Sequence, residues 1–350
     1  MENHATMSTD KILTIVIPAY NSSKYLVRCL DSLILDPEFM SLLQVLIVND
    51  GSKDNTSEIA HKYSEKYPES IFVVDKTNGN YGSCMNVGLS MATGKYFKTL
   101  DSDDWYESAG LTRLLKDLQT SDADLVINEL KRHFELGNRE EVSSFSTNLH
   151  LNEDIYATDE LLSSPTVRSN YFVASVAFKT DLLRRINMKW PEHVFYSDTY
   201  YVLKPLQYVS TVRLLSYPVY VYDIGREGQS VSIKSLQRNF NSLYVVAKLI
   251  LDGMVSLGSN MKFKTLSCYI TKLHLQNCYL HLIIGEKVSF SKIKELDKLY
   301  SIVDGLGREG IATEQTFYKL PYVRSFQSHG IHVSLIFARV IFKIKSLWRK

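Results

Sequence analysis

The sequence has few cysteines and almost no excess of charge, and both shortages narrow the range of functions. Its four cysteines, Cys29, Cys84, Cys268 and Cys278, lie far apart and form no Cys-x-x-Cys pair. Neither a disulfide framework nor a zinc site is therefore expected, and the expected compartment is a reducing cytoplasm. The formal net charge is only +2 over 350 residues, which does not favour a nucleic-acid partner.

Long apolar runs are also missing. The first residues, MENHATMSTDK, lack the apolar centre of a signal peptide, so secretion is not indicated. No run of about 18 uncharged apolar residues occurs, and we predict no spanning helix. What remains is an ordinary globular composition, 45% hydrophobic and 22% charged, in a chain long enough for one large domain or two.

The first 130 residues alternate short apolar runs with amphipathic stretches. Leucines at helical spacing and capping residues predict helices in the amphipathic stretches. Repeated strand–helix units predict an open, mostly parallel α/β sheet with helices on both faces, whose ligands bind beyond the carboxyl ends of the strands. The apolar runs, which are rich in β-branched residues, predict buried strands at 12–18, 43–50, 71–75, 95–101 and 123–130.

The hydrophobic pattern of the sequence changes again after residue 130. Residues 131–165 predict a hairpin and a connection, whereas 171–223 return to separate strand-like runs, YFVASVAF, VSTVRLL and PVYVYD. From about Leu236 onward the pattern is helical, and the Gly-containing segment 223–230 marks the boundary. We predict a disordered N-terminus at 1–11, an α/β domain at 12–223, a helical domain at 224–330 and a tail helix at 331–350.

Polar motifs follow four of the predicted strands. Any one of them is also typical of an ordinary turn or helix cap. Together they predict that four polar strand ends meet in one crevice. The motifs are PAYN at 18–21, NDGSKDNT at 49–56, DKTNGNYG at 75–82 and DSDDW at 101–105.

The DSDD motif is the strongest candidate for a metal site. Asp101 and Asp103 can point two hard oxygens at one Mg²⁺ or Mn²⁺, whose remaining positions suit water and a substrate diphosphate. A lone Asp-x-Asp pair is common, but its place directly after a buried strand strengthens the interpretation. Asp104 is predicted to serve local structure near the next helix.

Two other strand ends predict nucleotide contacts. Asp50 can accept hydrogen bonds from a base or a ribose, while Asp54 and Thr56 look like caps of the following helix. Gly79 and Gly82 can let the backbone approach a ligand, and the helix that follows can favour an anion. Neither a G-x-G-x-x-G fingerprint nor a phosphate loop ending in GK[ST] is present.

These motifs, TIVIPAYN, VLIVNDGSKDNT and TNGNYGSCMNVGLSMATGKYFKTLDSDD, resemble glycosyltransferase family 2. The resemblance covers about residues 12–130 and continues more weakly to about 232. It implies a Rossmann-like GT-A fold and an inverting enzyme that uses Mn²⁺ or Mg²⁺, a nucleotide-diphosphate sugar such as a UDP-sugar, and a glycan or lipid-linked acceptor. Asp103 is implied as the main metal ligand, with Asp101 beside it. The implied donor-binding residues are Pro18, Tyr20, Asn21, Asp50, Asn78, Gly79, Tyr81, Gly82 and Asp101.

The resemblance also implies a catalytic base in the second half of the chain. HVFYSDTYYVLKPL resembles the family segment that carries a Glu-Asp pair ahead of a helix, with Ser197 in place of the Glu. Asp198 is the candidate base, and a helix N-cap is its alternative role. Glu192 is the reserve candidate.

A glycine-containing loop follows, and its residues Arg226, Gln229 and Ser230 suit closure over the donor diphosphate. An interdomain linker is an equal interpretation of the same residues.

Cys84-Met85-Asn86 stands where the family often has Ala-Arg-Asn. The Q-x-x-R-W sequence of processive synthases is absent, which favours transfer of single sugars.

The end of the chain, 331–350, has five Lys or Arg and no acidic residue. A helix there would place one narrow polar face against apolar residues on the rest of its surface, which suits a peripheral site on the inner face of the cell membrane; a helix packed on the protein is the alternative. The residues of this face are His332, Arg339, Lys343, Ser346 and Lys350. The helical region also offers surfaces for a homodimer, but the sequence leaves the oligomeric state open.

Two other functions are alternatives to a transferase. A sugar-nucleotide pyrophosphorylase would need a Gly-rich basic loop after the first strand, where this chain has PAYNSSKY. A non-catalytic transferase-like partner is favoured only by Ser197 and Met85, and the intact DSDD motif argues against it.

Overall fold

The computed structural model describes residues 11–135, 137–225, 235, 238–284 and 290–308. The chain divides into two compact units. The first consists of residues up to 227 together with 259–266, and the second of residues 228–258 and 267 onward. The short return of 259–266 to the first unit was not foreseen in the sequence.

The first unit contains one sheet of ten strands, and eight of them follow the spatial order β3-β2-β1-β4-β9-β6-β10-β5. The remaining two, β7 and β8, pair with β6 and β10. The strands are β1 Leu13–Ala19, β2 Leu43–Asn49, β3 Ile71–Asp75, β4 Tyr96–Thr99, β5 Trp105–Tyr106, β6 Leu125–Phe134, β7 Arg139–Ser143, β8 Asp154–Tyr156, β9 Val176–Lys179 and β10 Thr211–Ile224.

Nine helices of the described residues belong to this unit, and most of them connect consecutive strands. They are α1 Ser23–Asp31, α2 Pro37–Met40, α3 Thr56–Lys66, α4 Asn80–Met91, α5 Ser108–Thr120, α6 Asp159–Ser163, α7 Pro165–Asn170, α8 Thr180–Arg185 and α9 Asp198–Leu206.

The sheet is mostly parallel, as predicted. Strands β3, β2, β1 and β4 run parallel to one another. β9 lies antiparallel between β4 and β6, which restores the parallel direction for β6 and β10. The β6–β7 pair is the predicted hairpin. Two runs that the sequence suggested as separate strands form one strand, β10, whose register shifts on either side of Pro218, because proline cannot donate to the ladder.

The core lies on both faces of the central strands, which explains their continuous apolar runs. Every residue of β2 is buried. The alternate residues Leu13, Ile15 and Ile17 of β1 pack with leucines of α1 and α5 on one face. On the other face Gly88 of α4 lies against Val16, where an added Cβ would come within 2.4 Å of that side chain.

The second unit is helical in its described residues, as the sequence predicted, with α10 Phe240–Leu257, α12 Phe290–Arg308 and the part of α11 Lys264–Ile284 that begins at Ser267. His274 bonds to the Leu243 carbonyl at 2.9 Å, and Lys272 pairs with Asp304 at 2.5 Å. Among the described residues one segment, Phe240–Asn260, is long and apolar enough to cross a membrane, with a mean hydropathy of 1.4. Core helices of soluble proteins pass the same test.

Candidate active site

The DSDD motif forms an acidic cluster just beyond β4. One carboxylate oxygen from each of Asp101, Asp103 and Asp104 lies within 4.8 Å of the others. Asp101 and Asp103 are partly exposed, whereas Asp104 is buried. The three carboxylates therefore occupy different environments although they are neighbours in sequence.

Asp104 binds the protein itself. One of its oxygens accepts from the Tyr220 hydroxyl at 2.6 Å and the other from the backbone N–H of Asp223 at 2.9 Å. Burial, followed by the negative charge of Asp101, raises the pKa of Asp104 well above its usual range. Asp104 thus ties the motif to β10, and its oxygens are already used.

Arg28 of α1 supports the same motif from the other side. Its guanidinium donates to the backbone carbonyl of Asp103 at 2.9 Å and to the carboxylate of Asp223 at 2.8 Å. It also stacks over the Trp105 ring at 4.0 Å. His133 completes this group through a 2.9 Å hydrogen bond to Asp223, which raises the pKa of the imidazole. No local motif marks Arg28 or Asp223, so the sequence analysis missed both.

Asp50 is buried and holds the loop that begins α4. Its carboxylate accepts from the backbone N–H groups of Gly79 and Asn80, both at 2.9 Å, and from Lys76 at 2.7 Å. Asn78 donates to the Asp50 carbonyl at 3.0 Å. The anion at this helix N-terminus is therefore the protein's own Asp50, and its predicted contact with a base stays a prediction.

The first two polar strand ends are joined to each other. Asn21 adopts a left-handed φ of 49°, and its amide oxygen accepts from the Lys53 N–H at 2.7 Å. Asp54 accepts from the Ser23 N–H at 3.0 Å and from Thr56 of its own loop. Pro18 lies in β1, whereas the Tyr20 side chain beyond it is 53% exposed and thus accessible to a ligand.

Gly82 packs closely against another segment of the protein. A Cβ at this position would lie 2.1 Å from the Pro191 carbonyl oxygen. The residue is buried under that segment, so the missing side chain permits this packing of the protein on itself, and the predicted contact of Gly82 with the donor stays a prediction. Met85, which stands where the family often has arginine, is completely buried.

Asp198 is the first residue of α9, and Ser197 takes the N-cap position without a side-chain capping bond. Asp198 is thus not the N-cap. Burial, then the charge of Asp101 and, more weakly, the charge of Asp198, raise the pKa of Tyr81 well above its usual range. The hydroxyl of Tyr81 is also 3.2 Å from that of Thr99. The charges of the same two carboxylates also contribute to the raised pKa of Tyr222, after burial and the charge of Asp104.

An open cleft of about 460 Å³ lies along α4 and the loop that precedes it. Its lining includes Lys76, Asn78, Gly79, Asn86 and the reserve candidate Glu192, which is exposed and accepts from the Asn86 amide at 2.8 Å. The predicted loop residues Arg226, Gln229 and Ser230 lie outside the described residues, and so does the tail at 331–350.

The profile described as Glycosyl transferase family 2 matches residues 14–185. The chain carries a family 2 glycosyltransferase domain. This confirms the resemblance read from the motifs, and the matched segment contains the DSDD and NDGS strand ends but not Asp198.

Curated relatives agree with this assignment. An uncharacterized glycosyltransferase of Mycoplasma pneumoniae is 42% identical over 105 residues, which are 29% of this chain and 35% of that protein. The uncharacterized glycosyltransferase EpsJ of Bacillus subtilis is 26% identical over 212 residues, or 60% of each chain. The alignments thus span between one third and three fifths of these relatives.

Solved structures show the same fold over most of the chain. TarS residues 1–349 of S. aureus, in complex with UDP, superpose with a TM-score of 0.60 at 18% identity, covering 94% of this chain and 87% of that one. The complex of the same fragment with UDP-GlcNAc gives a TM-score of 0.56 at 18% identity, covering 84% and 91%. The glycosyltransferase domain accordingly has the GT-A fold.

Proposed function

We propose that the protein transfers a single sugar from a UDP-sugar to a glycan or lipid-linked acceptor, with inversion at the anomeric carbon. One observation carries the proposal. The DSDD motif brings one carboxylate oxygen from each of Asp101, Asp103 and Asp104 within 4.8 Å of the others just beyond β4, at the carboxyl edge of the sheet, where α/β proteins bind their ligands.

The choice of donor rests on the strand ends and on the structural relatives. TarS was solved with UDP and with UDP-GlcNAc. In this chain the exposed Tyr20, the Asn21 loop and the Asn78–Gly79 loop border the same edge of the sheet. Tyr20 offers an exposed ring on which a base can stack.

The residues at the DSDD motif suit a divalent cation. Asp101 and Asp103 would hold it, because their oxygens are partly exposed and lie within 4.8 Å of each other, while both oxygens of Asp104 are engaged with β10. Carboxylate oxygens are the ligands that Mg²⁺ and Mn²⁺ prefer. Such an ion, when bound, neutralises negative charge on the departing diphosphate.

Asp198 is the proposed base. A carboxylate that accepts the proton of the acceptor hydroxyl has to stand apart from the ligands that hold the diphosphate. Asp198 meets this requirement since it begins a separate helix, α9, while its charge, like that of Asp101, raises the pKa of the buried Tyr81. The acceptor would therefore enter on the α9 side of the cluster.

The test begins with thermal shifts for a panel of nucleotide sugars, with and without Mn²⁺, to choose the donor. Release of UDP from that donor is then measured for Asp103→Ala, Asp198→Asn and Glu192→Gln. We expect the first two to lose at least about 100-fold in rate, and Glu192→Gln to lose less than about threefold, because Glu192 is exposed and bonds to Asn86.

The outcomes separate the possible assignments. Full activity of Asp198→Asn together with inactivity of Glu192→Gln would transfer the role of base to Glu192. Unchanged activity of Asp103→Ala would remove the metal site from the mechanism. No donor binding in any condition would favour the non-catalytic partner.

A further inference from the structure

The segment that carries Asp198 has little structure of its own. No helix or strand occurs between the end of α8 at Arg185 and the start of α9. Three of its non-glycine residues, Asn187, His193 and Tyr196, have left-handed φ values of 48°, 58° and 63°, a conformation that side chains with a Cβ rarely adopt unless their surroundings impose it. The position of Asp198 therefore depends on what holds this segment.

Asn86 of α4 holds it most directly. Its amide oxygen accepts from the Trp190 backbone N–H at 2.9 Å, and its amide nitrogen donates to the Trp190 carbonyl at 3.1 Å. The same nitrogen donates to Glu192 at 2.8 Å. One side-chain amide thus satisfies both backbone groups of Trp190, as a neighbouring strand would.

Two more contacts lie on the same face of α4. The backbone N–H of His193 donates to the Gly79 carbonyl at 3.0 Å. Between these points the Pro191 carbonyl occupies the space that a side chain at Gly82 would fill. The segment 190–193 is consequently bound along the first two turns of α4.

Trp190 connects this segment to α9, the helix that begins with Asp198. Its ring is 2% exposed and packs on Tyr201 of α9 with the ring centroids 5.0 Å apart. Tyr201 is itself fully buried and lies one turn after Asp198. A displacement of Trp190 would therefore be transmitted to the helix turn that begins with Asp198.

We propose that Asn86 is a positioning residue, which fixes Asp198 by binding the backbone of Trp190. The inference rests on the proposed function, since it needs Asp198 to be the base. In this role Asn86 influences the rate of proton removal and not the binding of the donor. A misplacement of about 1 Å in a reacting group can cost about 100-fold in rate.

The test compares Asn86→Ala and the isosteric Asn86→Asp with the wild type, using UDP release from the donor chosen above. Asn86→Asp keeps an acceptor for the Trp190 N–H but loses both donated hydrogen bonds. We expect kcat to fall about 10- to 100-fold while the KM for the donor stays within about threefold. Ser90→Ala is the matched control, because its hydroxyl donates to the Val87 carbonyl on α4; it should keep wild-type kcat.

A double-mutant cycle separates positioning from general damage to the fold. If Asn86 works through Asp198, Asn86→Ala causes no further loss of rate in the Asp198→Asn background. The inference would be overturned if Asn86→Ala lowered kcat by the same factor in both backgrounds. It would also be overturned if kcat were unchanged in both Asn86 variants. An active Asp198→Asn enzyme would already refute the base assignment, so the two failures are distinguishable.

Discussion

Replacing Lys98 with methionine is expected to change how the stability of the first unit depends on pH. Lys98 lies in β4 and is completely buried. Its ammonium donates to the carbonyls of Ala174 and Val176 at 2.6 and 3.2 Å and to Asn128 at 3.2 Å. Burial nevertheless lowers the pKa of this lysine from 10.5 to about 7, because these neutral partners do not replace the lost hydration.

The size and sign of the effect follow from this pKa. Each pH unit is worth about 1.4 kcal/mol, so lowering the pKa of Lys98 from 10.5 to about 7 corresponds to roughly 5 kcal/mol at most. Between these two pH values the unfolded chain holds more protons than the folded one, so the free energy of unfolding rises with pH. Over pH 7 to 9 the contribution of Lys98 grows by about 2 kcal/mol.

The assay is urea unfolding of the wild type and Lys98→Met at pH 7, 8 and 9. Methionine is similar in length and does not titrate, so the difference between the two unfolding free energies isolates the lysine. We expect this difference to move by about 2 kcal/mol in favour of the wild type as the pH rises. Lys62→Met removes a lysine whose side chain is 68% exposed and should show no such trend. If the unfolding free energies of the wild type and Lys98→Met changed equally between pH 7 and pH 9, the reasoning would be refuted.

Three further predictions concern packing, the metal and the membrane. Gly82→Ala should destabilise the protein by about 1 to 3 kcal/mol in urea unfolding, since its Cβ meets the Pro191 carbonyl, whereas Gly253→Ala, whose Cβ meets nothing within 4 Å, should be neutral or stabilising. Arg28→Met should weaken Mn²⁺ binding about tenfold in calorimetric titration, because the backbone of the proposed metal ligand loses its 2.9 Å hydrogen bond; unchanged affinity would show that this bond is dispensable. The chain of residues 1–350 should float with anionic liposomes and a chain without 331–350 should not; equal flotation would exclude the tail as the membrane site.

Much of the fold could be predicted because its signals are local. The apolar runs of β1, β2 and β3 lie within a residue or two of the predicted strands, since strands covered on both faces, such as β1 and β2, consist mostly of apolar residues. The run before Pro218 and the run after it were predicted as separate strands. They form one strand because β6 continues to pair with both sides of the irregularity, which only a distant partner can determine.

The candidate site also combines features set by local sequence with features set by distant partners. The sequence alone determined that polar residues end the strands and that Asp101 and Asp103 stand two positions apart, because both are properties of a short stretch of chain. Only the tertiary structure decided that Asp104 binds β10, that Arg28 supports the backbone of Asp103, and that Asn86 binds Trp190. These partners are separated by between 75 and 116 residues, and their hydrogen bonds exist only after the sheet has brought distant segments to one edge.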